Sequence, residues 1–379
     1  MDRIVVVGAG CFGAWTAHHL ARAGRDVTLL DAHGPANSRA SSGGHTRVIR
    51  MGYGAEEIYS RWSVDSLHQW KALAERTSST LFHQTGVLWL ARDRDALALA
   101  TLATLERIGV AHERVSRPHL QSRWPQVAFD ADDWAILEPR SGVLMASRAV
   151  RVLVGDLVSR GVRYIPAAAR PPAAANARVE SIETIDGLIC RGAAFVFACG
   201  PWLPALFPDL LGDRIFTSRQ EVLYFGCPPG DLRFTSAALP AWIEFAAEIY
   251  GVPDIDARGF KVSVDRHGAR FDPETGSRVA GETQPEARAY LARRFPALAG
   301  APLVTAEVCQ YENTSNGDFL IDRHPGFENV WLVGGGSGHG FKHGPAVGAH
   351  AAQVILEGAA PQARFRLATK QPVQQRTVF

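Results

Sequence analysis

This sequence predicts an α/β protein in two parts, and three observations lead there. Residues 3–31 read as strand, glycine turn, helix and strand, a single β-α-β unit. Near the other end, the apolar Val330-Trp331-Leu332-Val333 runs into a glycine-rich segment at 334–340 and then into a helix from about Pro345 to Leu356. Between them, residues 219–265 carry several alternating apolar and polar segments, the period of a mixed or antiparallel sheet. The expectation is a Rossmann-like nucleotide-binding domain, discontinuous in the chain, plus an α+β domain. A chain of 379 residues is long enough for two cores.

The individual elements follow from pattern and punctuation. Residues 3–7 are almost uniformly apolar, as in a parallel strand covered on both faces. Residues 11–23 place Ala14, Ala17, Leu20 and Ala21 on one helical face, and Gly24 ends that helix before the strand Val27–Leu30. The spacing of Ile58, Trp62, Leu67 and Trp70 predicts a helix over 55–76. Leu81 to Leu90 alternates like a strand, and 93–108 is amphipathic like a helix. The low-complexity stretch 166–176 is expected to be a surface connection. Val179 to Ile189 reads as a hairpin turning at Asp186-Gly187, and 193–198 as a buried strand leading to Cys199-Gly200-Pro201. A short helix is expected over 284–295.

Composition narrows the function. Lys plus Arg number 40 against 38 Asp plus Glu, so a net charge of +2 gives no electrostatic case for nucleic acid or an anionic membrane. No run of about 18 apolar residues predicts a membrane span. The chain enters a strand-like segment at Ile4, which leaves no room for a signal peptide. The 5 cysteines are scattered with no CxxC pair, signalling neither a zinc site nor a disulfide framework. A cytoplasmic location is the expectation.

Gly8-Ala9-Gly10-Cys11-Phe12-Gly13 fits GxGxxG. Gly8 permits the tight turn, Gly10 lets a pyrophosphate approach the backbone, and Gly13 lets helix and strand pack closely. The helix N-terminus adds free N–H groups and positive dipole. Asp31, at the end of the second strand, can bind ribose hydroxyls and would repel a 2′-phosphate. The fingerprint alone does not separate FAD from NAD. A second glycine-rich segment at the far end favours FAD, a dinucleotide long enough to be held from both ends. The segment Ser41-Ser42-Gly43-Gly44-His45-Thr46-Arg47-Val48-Ile49-Arg50 points the same way, because a small-residue loop replaces the regular β-α unit expected of an NAD dehydrogenase. Its two arginines are either surface residues or anchors; Arg47 is a candidate bidentate partner for a substrate carboxylate.

These segments resemble the monomeric sarcosine oxidase and N-methyltryptophan oxidase family, within the D-amino-acid-oxidase-like FAD proteins. The resemblance covers nearly the whole chain. It rests on GAGxxG at 8–13, SSxGxTRxIR at 41–50, and YGxP at 250–253 leading to Gly259-Phe260-Lys261. It continues through Cys309-x-Tyr311, Ile321-Asp322-Arg323-His324-Pro325, and Ser337-Gly338-His339-Gly340-Phe341-Lys342.

The resemblance implies an FAD-binding domain from 1–80, 141–215 and 310–379, and a substrate domain from 81–140 and 216–309. It implies oxidation of a secondary or primary α-amino acid by hydride transfer to flavin N5, giving an imine, with reoxidation by O2 to hydrogen peroxide. Cys309 matches the cysteine that carries the flavin as a thioether. Lys261 matches the lysine that activates oxygen. Lys342 and Arg47 match the pair holding the substrate carboxylate, and Tyr250 and Tyr311 match pocket residues. Thr46 and Arg50 match positions close to the flavin, and Gly336, Gly338, Gly340 and Phe341 belong to the segment facing its pyrimidine edge. Ser41, Ser42, Val179, Gly200 and Trp202 are further expected FAD contacts. The resemblance leans towards a monomer without metal. For His339 no chemistry is expected beyond packing or a backbone bond.

There are departures. Asp265 stands where sarcosine oxidases carry a pocket histidine, with His267 two residues on. Ser42-Gly43-Gly44 replaces a frequent Ser-His-Gly, and Thr314-Ser315-Asn316 replaces a frequent Thr-Pro-Asp. The first two put sarcosine itself in doubt; Asp265 either recognises a positive or polar group of the substrate or points away. Three other activities stay open: a flavin dehydrogenase passing electrons to a quinone or carrier, a nicotinamide dehydrogenase, and a non-catalytic flavoprotein.

Overall fold

The computed structural model describes residues 3–173 and 177–375. Its six-stranded sheet has the order Leu320–Arg323, Val330–Gly334, Ala194–Phe197, Ile4–Val7, Val27–Leu30 and Arg163–Ile165. The last five of these run parallel, and Leu320–Arg323 pairs antiparallel at one edge. Ile4–Val7 and Val27–Leu30 are buried at every position. Cores on both faces of the sheet account for their unbroken apolar sequence.

The helix Cys11–Arg22 rises from the first glycine turn and packs against Gly344–Glu357, the helix after the second glycine run. A Cβ on Gly348 would stand 2.5 Å from the Trp15 carbonyl carbon, so a side chain there would force the helices apart. This contact brings the two ends of the chain to one place.

An eight-stranded mixed sheet forms the second layer, in the order 303–314, 215–225, 260–264, 249–252, 241–244, 87–92, 133–138 and 113–115. All neighbours pair antiparallel except Ala241–Glu244 with Val87–Arg92. Its far face is packed by the helix Gln284–Arg294 over Leu223, Phe260 and Trp242. A small sheet of Arg47–Ile49, Gly142–Leu144 and Phe82–His83 joins the two layers.

Most expected elements stand where pattern placed them, with instructive exceptions. Leu81 to Leu90 is two strands in different sheets, Phe82–His83 and Val87–Arg92, because Gly86 turns the chain between them with φ +73°. The stretch 166–176 is not simply surface: Ala167, Ala168 and Ala169 line the main cleft, while 174–176 lie outside the described residues. The helix Ala146–Ser159 and the long strand Leu303–Thr314 were not expected, and that strand crosses the expected domain boundary at 309/310. No helix among the described residues is long and apolar enough to cross a membrane.

Candidate functional site

A cleft of about 510 Å³ opens along the C-terminal ends of the parallel strands, where open α/β sheets bind their ligands. The order of residues along it is informative. Asp31 ends the strand Val27–Leu30, Gly8 and Gly10 form the turn after Ile4–Val7, and Gly200, Gly336 and Glu312 follow beside the next two strands. Arg47, Tyr311 and Phe341 close the far end.

The fingerprint behaves as its spacing requires. Gly8 has φ +105°, and a Cβ there would lie 2.3 Å from the Ala198 carbonyl oxygen. A Cβ on Gly13 would stand 1.9 Å from the Gly8 carbonyl oxygen. Gly10 faces the cleft near Ser42. Asp31 accepts from the Ala9 amide at 2.7 Å and the His33 amide at 2.9 Å, which fixes its carboxylate at the cleft rim.

A second, smaller cavity of about 70 Å³ joins the cleft at Arg47, Tyr311, Gly338 and Phe341. Arg50, Tyr250, Asp265, Cys309 and Lys342 complete most of its wall. Four of these arrive by strand alternation or a strand end. Cys309 and Tyr311 share one face of Leu303–Thr314, Tyr250 lies in Ile249–Val252 further across the same sheet, and Asp265 follows Phe260–Val264.

The charged groups here are held away from bulk water. Lys261 is 1 % exposed and donates to the Thr46 carbonyl at 3.1 Å. Burial, and then the neighbouring Arg47, push its ammonium down to about 7. Lys342 donates to the Tyr53 hydroxyl at 2.6 Å and to the His339 carbonyl at 3.3 Å. Burial and the nearby Arg50 hold it well below the usual lysine range. Asp265 is half-buried, its accessible face being cavity wall. It accepts from the Tyr311 hydroxyl at 2.7 Å, and burial pushes it up to about 7. Burial likewise raises Tyr250 to about 12. An acid shifted up and a lysine shifted down in the wall of one cavity, with a second such lysine buried beside Arg47, mark a site poised for proton and anion chemistry.

The two arginines differ in surroundings. Arg47 donates to the Ser41 carbonyl at 2.7 Å, the Thr46 carbonyl at 2.8 Å and the Cys309 sulfur at 3.4 Å, on the wall between cleft and cavity. Arg50 is stacked between Tyr53 at 4.3 Å and Trp89 at 4.7 Å, and it is the charge that most lowers Lys342 after burial itself. The cation grouped with Lys342 is therefore Arg50, whereas the sequence match had grouped Arg47 with it.

Other expected residues fall as follows. Ser41, Ser42, Gly200, Trp202, Gly336, Gly338, Gly340 and Phe341 all line the cleft. Thr46 lies just behind, through its carbonyl. Val179 does not line the cleft; it packs in the core with Val5 and Phe195, its backbone clamped by Asn329. Ala167–Ala169 and Ile185 occupy the wall on that side, because the hairpin after Val179 folds back over the sheet. His339 packs on Phe319, bonds the Gly317 carbonyl at 3.0 Å and also lines the small cavity.

Sequence reading missed Glu312, Tyr53 and Glu274. Alternation from Cys309 and Tyr311 puts Gln310 and Glu312 on the opposite face of their strand, which could have flagged Glu312. Tyr53 meets Lys342 only through tertiary contact. Glu274 reaches Arg39, Trp202 and His33 from a loop 241 residues after the last of these, and no local pattern announces that.

The residues present suit FAD: glycines where a pyrophosphate must pass, an acid for ribose, and a flat apolar end at Phe341 beside Cys309. Comparison with known proteins agrees. A family model described as FAD dependent oxidoreductase matches residues 3–354. Monomeric sarcosine oxidase from Bacillus sp. (strain NS-129) is 29% identical over 94% of this chain and 93% of its own. Peroxisomal sarcosine oxidase from Homo sapiens is 30% identical over 91% of this chain and 89% of its own. Among solved structures, L-proline dehydrogenase from P. horikoshii superposes with a TM-score of 0.84 at 20% identity, over 97% of this chain and 96% of that one, a likeness of fold.

Proposed function

Since the chain belongs to the family of FAD-dependent oxidoreductases, we propose that it is an oxidase of a small secondary or primary α-amino acid, acting on its CH–NH bond and returning electrons to dioxygen. The observation carrying this reading is the small cavity opening onto the cleft, with the buried basic side chains Arg50 and Lys342 and the half-buried Asp265 in its wall. Bound FAD would supply the two-electron acceptor and, through dioxygen, a route to hydrogen peroxide. Cys309 would hold it covalently. In this reading residues 1–80, 141–215 and 310–379 form the cofactor domain, 81–140 and 216–309 the substrate domain, and the enzyme is a cytoplasmic monomer.

The chain's own residues then divide the work. Arg50 and Lys342 take the substrate carboxylate. The faces of Arg50 are covered by aromatic rings, so its N–H edge is pre-aimed. Burial disfavours the ammonium of Lys342, and the arriving anion gives that charge a partner. This clamp fixes the C–H bond against the cofactor, so much of the rate gain is positioning. Asp265 faces the substrate nitrogen and takes its positive charge or proton, a role suited to a carboxyl near 7 at neutral pH. Tyr311 orients that carboxyl. Lys261, buried beside Arg47, would supply positive charge where electron transfer to oxygen creates negative charge. A transfer to a quinone or carrier would leave this buried ammonium without a task.

A panel of N-methyl and primary amino acids, each beside its methyl ester, tests the reading by peroxide release under air. Free acids should turn over and esters should lose most of their activity. Equal turnover of acids and esters would remove the carboxylate clamp, and no peroxide from any amine would remove the oxidase.

A further inference from the structure

Glu312 projects into the main cleft from the strand Leu303–Thr314, on the face opposite Cys309. It is 7 % exposed. Its Oε1 accepts from the Gly336 amide at 3.2 Å, while its Oε2 has no hydrogen-bond partner among the described residues. That second oxygen lies 3.8 Å from where a Cβ of Gly200 would stand and 3.4 Å from that of Gly334. A buried acceptor surrounded by glycines and lacking a partner is a position built for a ligand's donor.

We propose that Glu312 is a cofactor-binding residue whose Oε2 accepts a hydrogen bond from a hydroxyl of the FAD ribityl chain, an inference that rests on the FAD reading above. The order of residues along the cleft selects the ribityl chain. Asp31 takes the adenosine ribose, Gly8 and Gly10 the pyrophosphate, and Arg47, Tyr311 and Phe341 at the far end the flavin ring. Glu312 stands between the last two stations, where FAD places a run of hydroxyl donors. A pyrophosphate would be repelled by the carboxylate, and the flavin ring needs the flat space further on. The same carboxyl ties the ligand to Gly336 and so to the glycine segment under the flavin. Burial pushes Glu312 up to about 7, and a donated hydroxyl proton favours its ionised form.

The test is a cycle between residue and hydroxyl, run on Cys309→Ser protein so that FAD exchanges freely. Binding of FAD and of 2′-, 3′- and 4′-deoxy-FAD is titrated by flavin fluorescence. With Glu312 present, one deoxy compound should bind at least about tenfold more weakly than FAD, the value of a hydrogen bond to a charged acceptor. In Glu312→Ala that penalty should vanish. In Glu312→Gln, which keeps the shape and serves if the alanine protein does not fold, it should shrink to about threefold because a neutral acceptor is weaker. The proposal is overturned if every deoxy compound matches FAD in the parent, or if the penalty survives in the variants. Failure of FAD itself to bind the parent would instead overturn the FAD reading.

Discussion

Replacing Lys261 by methionine should strengthen the fold while damaging the reaction, and the two effects have separate signatures. Burial takes this ammonium from an ordinary 10.5 to about 7. A lysine with a lower pKa folded than unfolded costs stability wherever the unfolded chain carries its charge. The cost is full below about pH 7, shrinks as the pH rises, and is gone above 10.5. The full shift corresponds to about 5 kcal/mol, of which about 2 kcal/mol remains near pH 9. Methionine removes this cost but takes from the Thr46 carbonyl one of its two donors, leaving Arg47 on it, which takes back about 1 kcal/mol. That second effect does not depend on pH. The stability advantage of Lys261→Met should therefore be larger near pH 6 than near pH 9 by about 3 kcal/mol, read from urea melts followed by tryptophan fluorescence. In stopped flow, reoxidation of the reduced flavin by oxygen should slow by about a hundredfold or more, with anaerobic reduction by substrate far less affected. An advantage that is equal at both pH values, or half-reactions that fall together, would refute the buried-ammonium argument.

Four other outcomes are expected. Arg50→Met should weaken binding of small carboxylate inhibitors by about tenfold or more, and Arg47→Met should do so less; the reverse order in a flavin-perturbation titration would return the anchor to Arg47. Asp265→Asn should abolish a rise in kcat/KM through about pH 7, present in the parent because the carboxyl ionises there; a rise that persists assigns that titration to another group. Cys309→Ser should release the yellow colour to the supernatant on acid precipitation, whereas the parent keeps it in the pellet. Gly8→Ala should lower stability by ~1–3 kcal/mol through its φ of +105° and expel FAD, and a protein with unchanged melting temperature and colour would contradict that backbone argument.

What the sequence made legible was whatever local period or spacing encodes. The strand–turn–helix at 4–22 and its glycines could be read directly, because GxGxxG states a backbone requirement and not merely a preference. So could the buried strand at 330–334 and the glycine run after it. Pairings distant in the chain were not legible. Lys261 looks like any strand lysine until Thr46 and Arg47 are brought over it by the small connecting sheet. Arg47 and Arg50 are three residues apart and chemically alike. Only folding shows that one is tied to Ser41 and Cys309 while the other is caged by Tyr53 and Trp89 beside Lys342. Val179 was displaced from the cleft wall because a hairpin folds back over it. Glu312 was hidden because attention to Cys309 and Tyr311 follows one face of a strand, and the acid lies on the other.

The claim that most of this depends on is that a small amino acid delivers electrons to flavin in this chain and that oxygen collects them. Purified protein mixed without air with an N-methyl amino acid should lose its yellow absorbance, and admitting air should restore it with one peroxide per flavin. Absorbance that no amino acid bleaches, or that air fails to restore while a quinone does, would contradict the account.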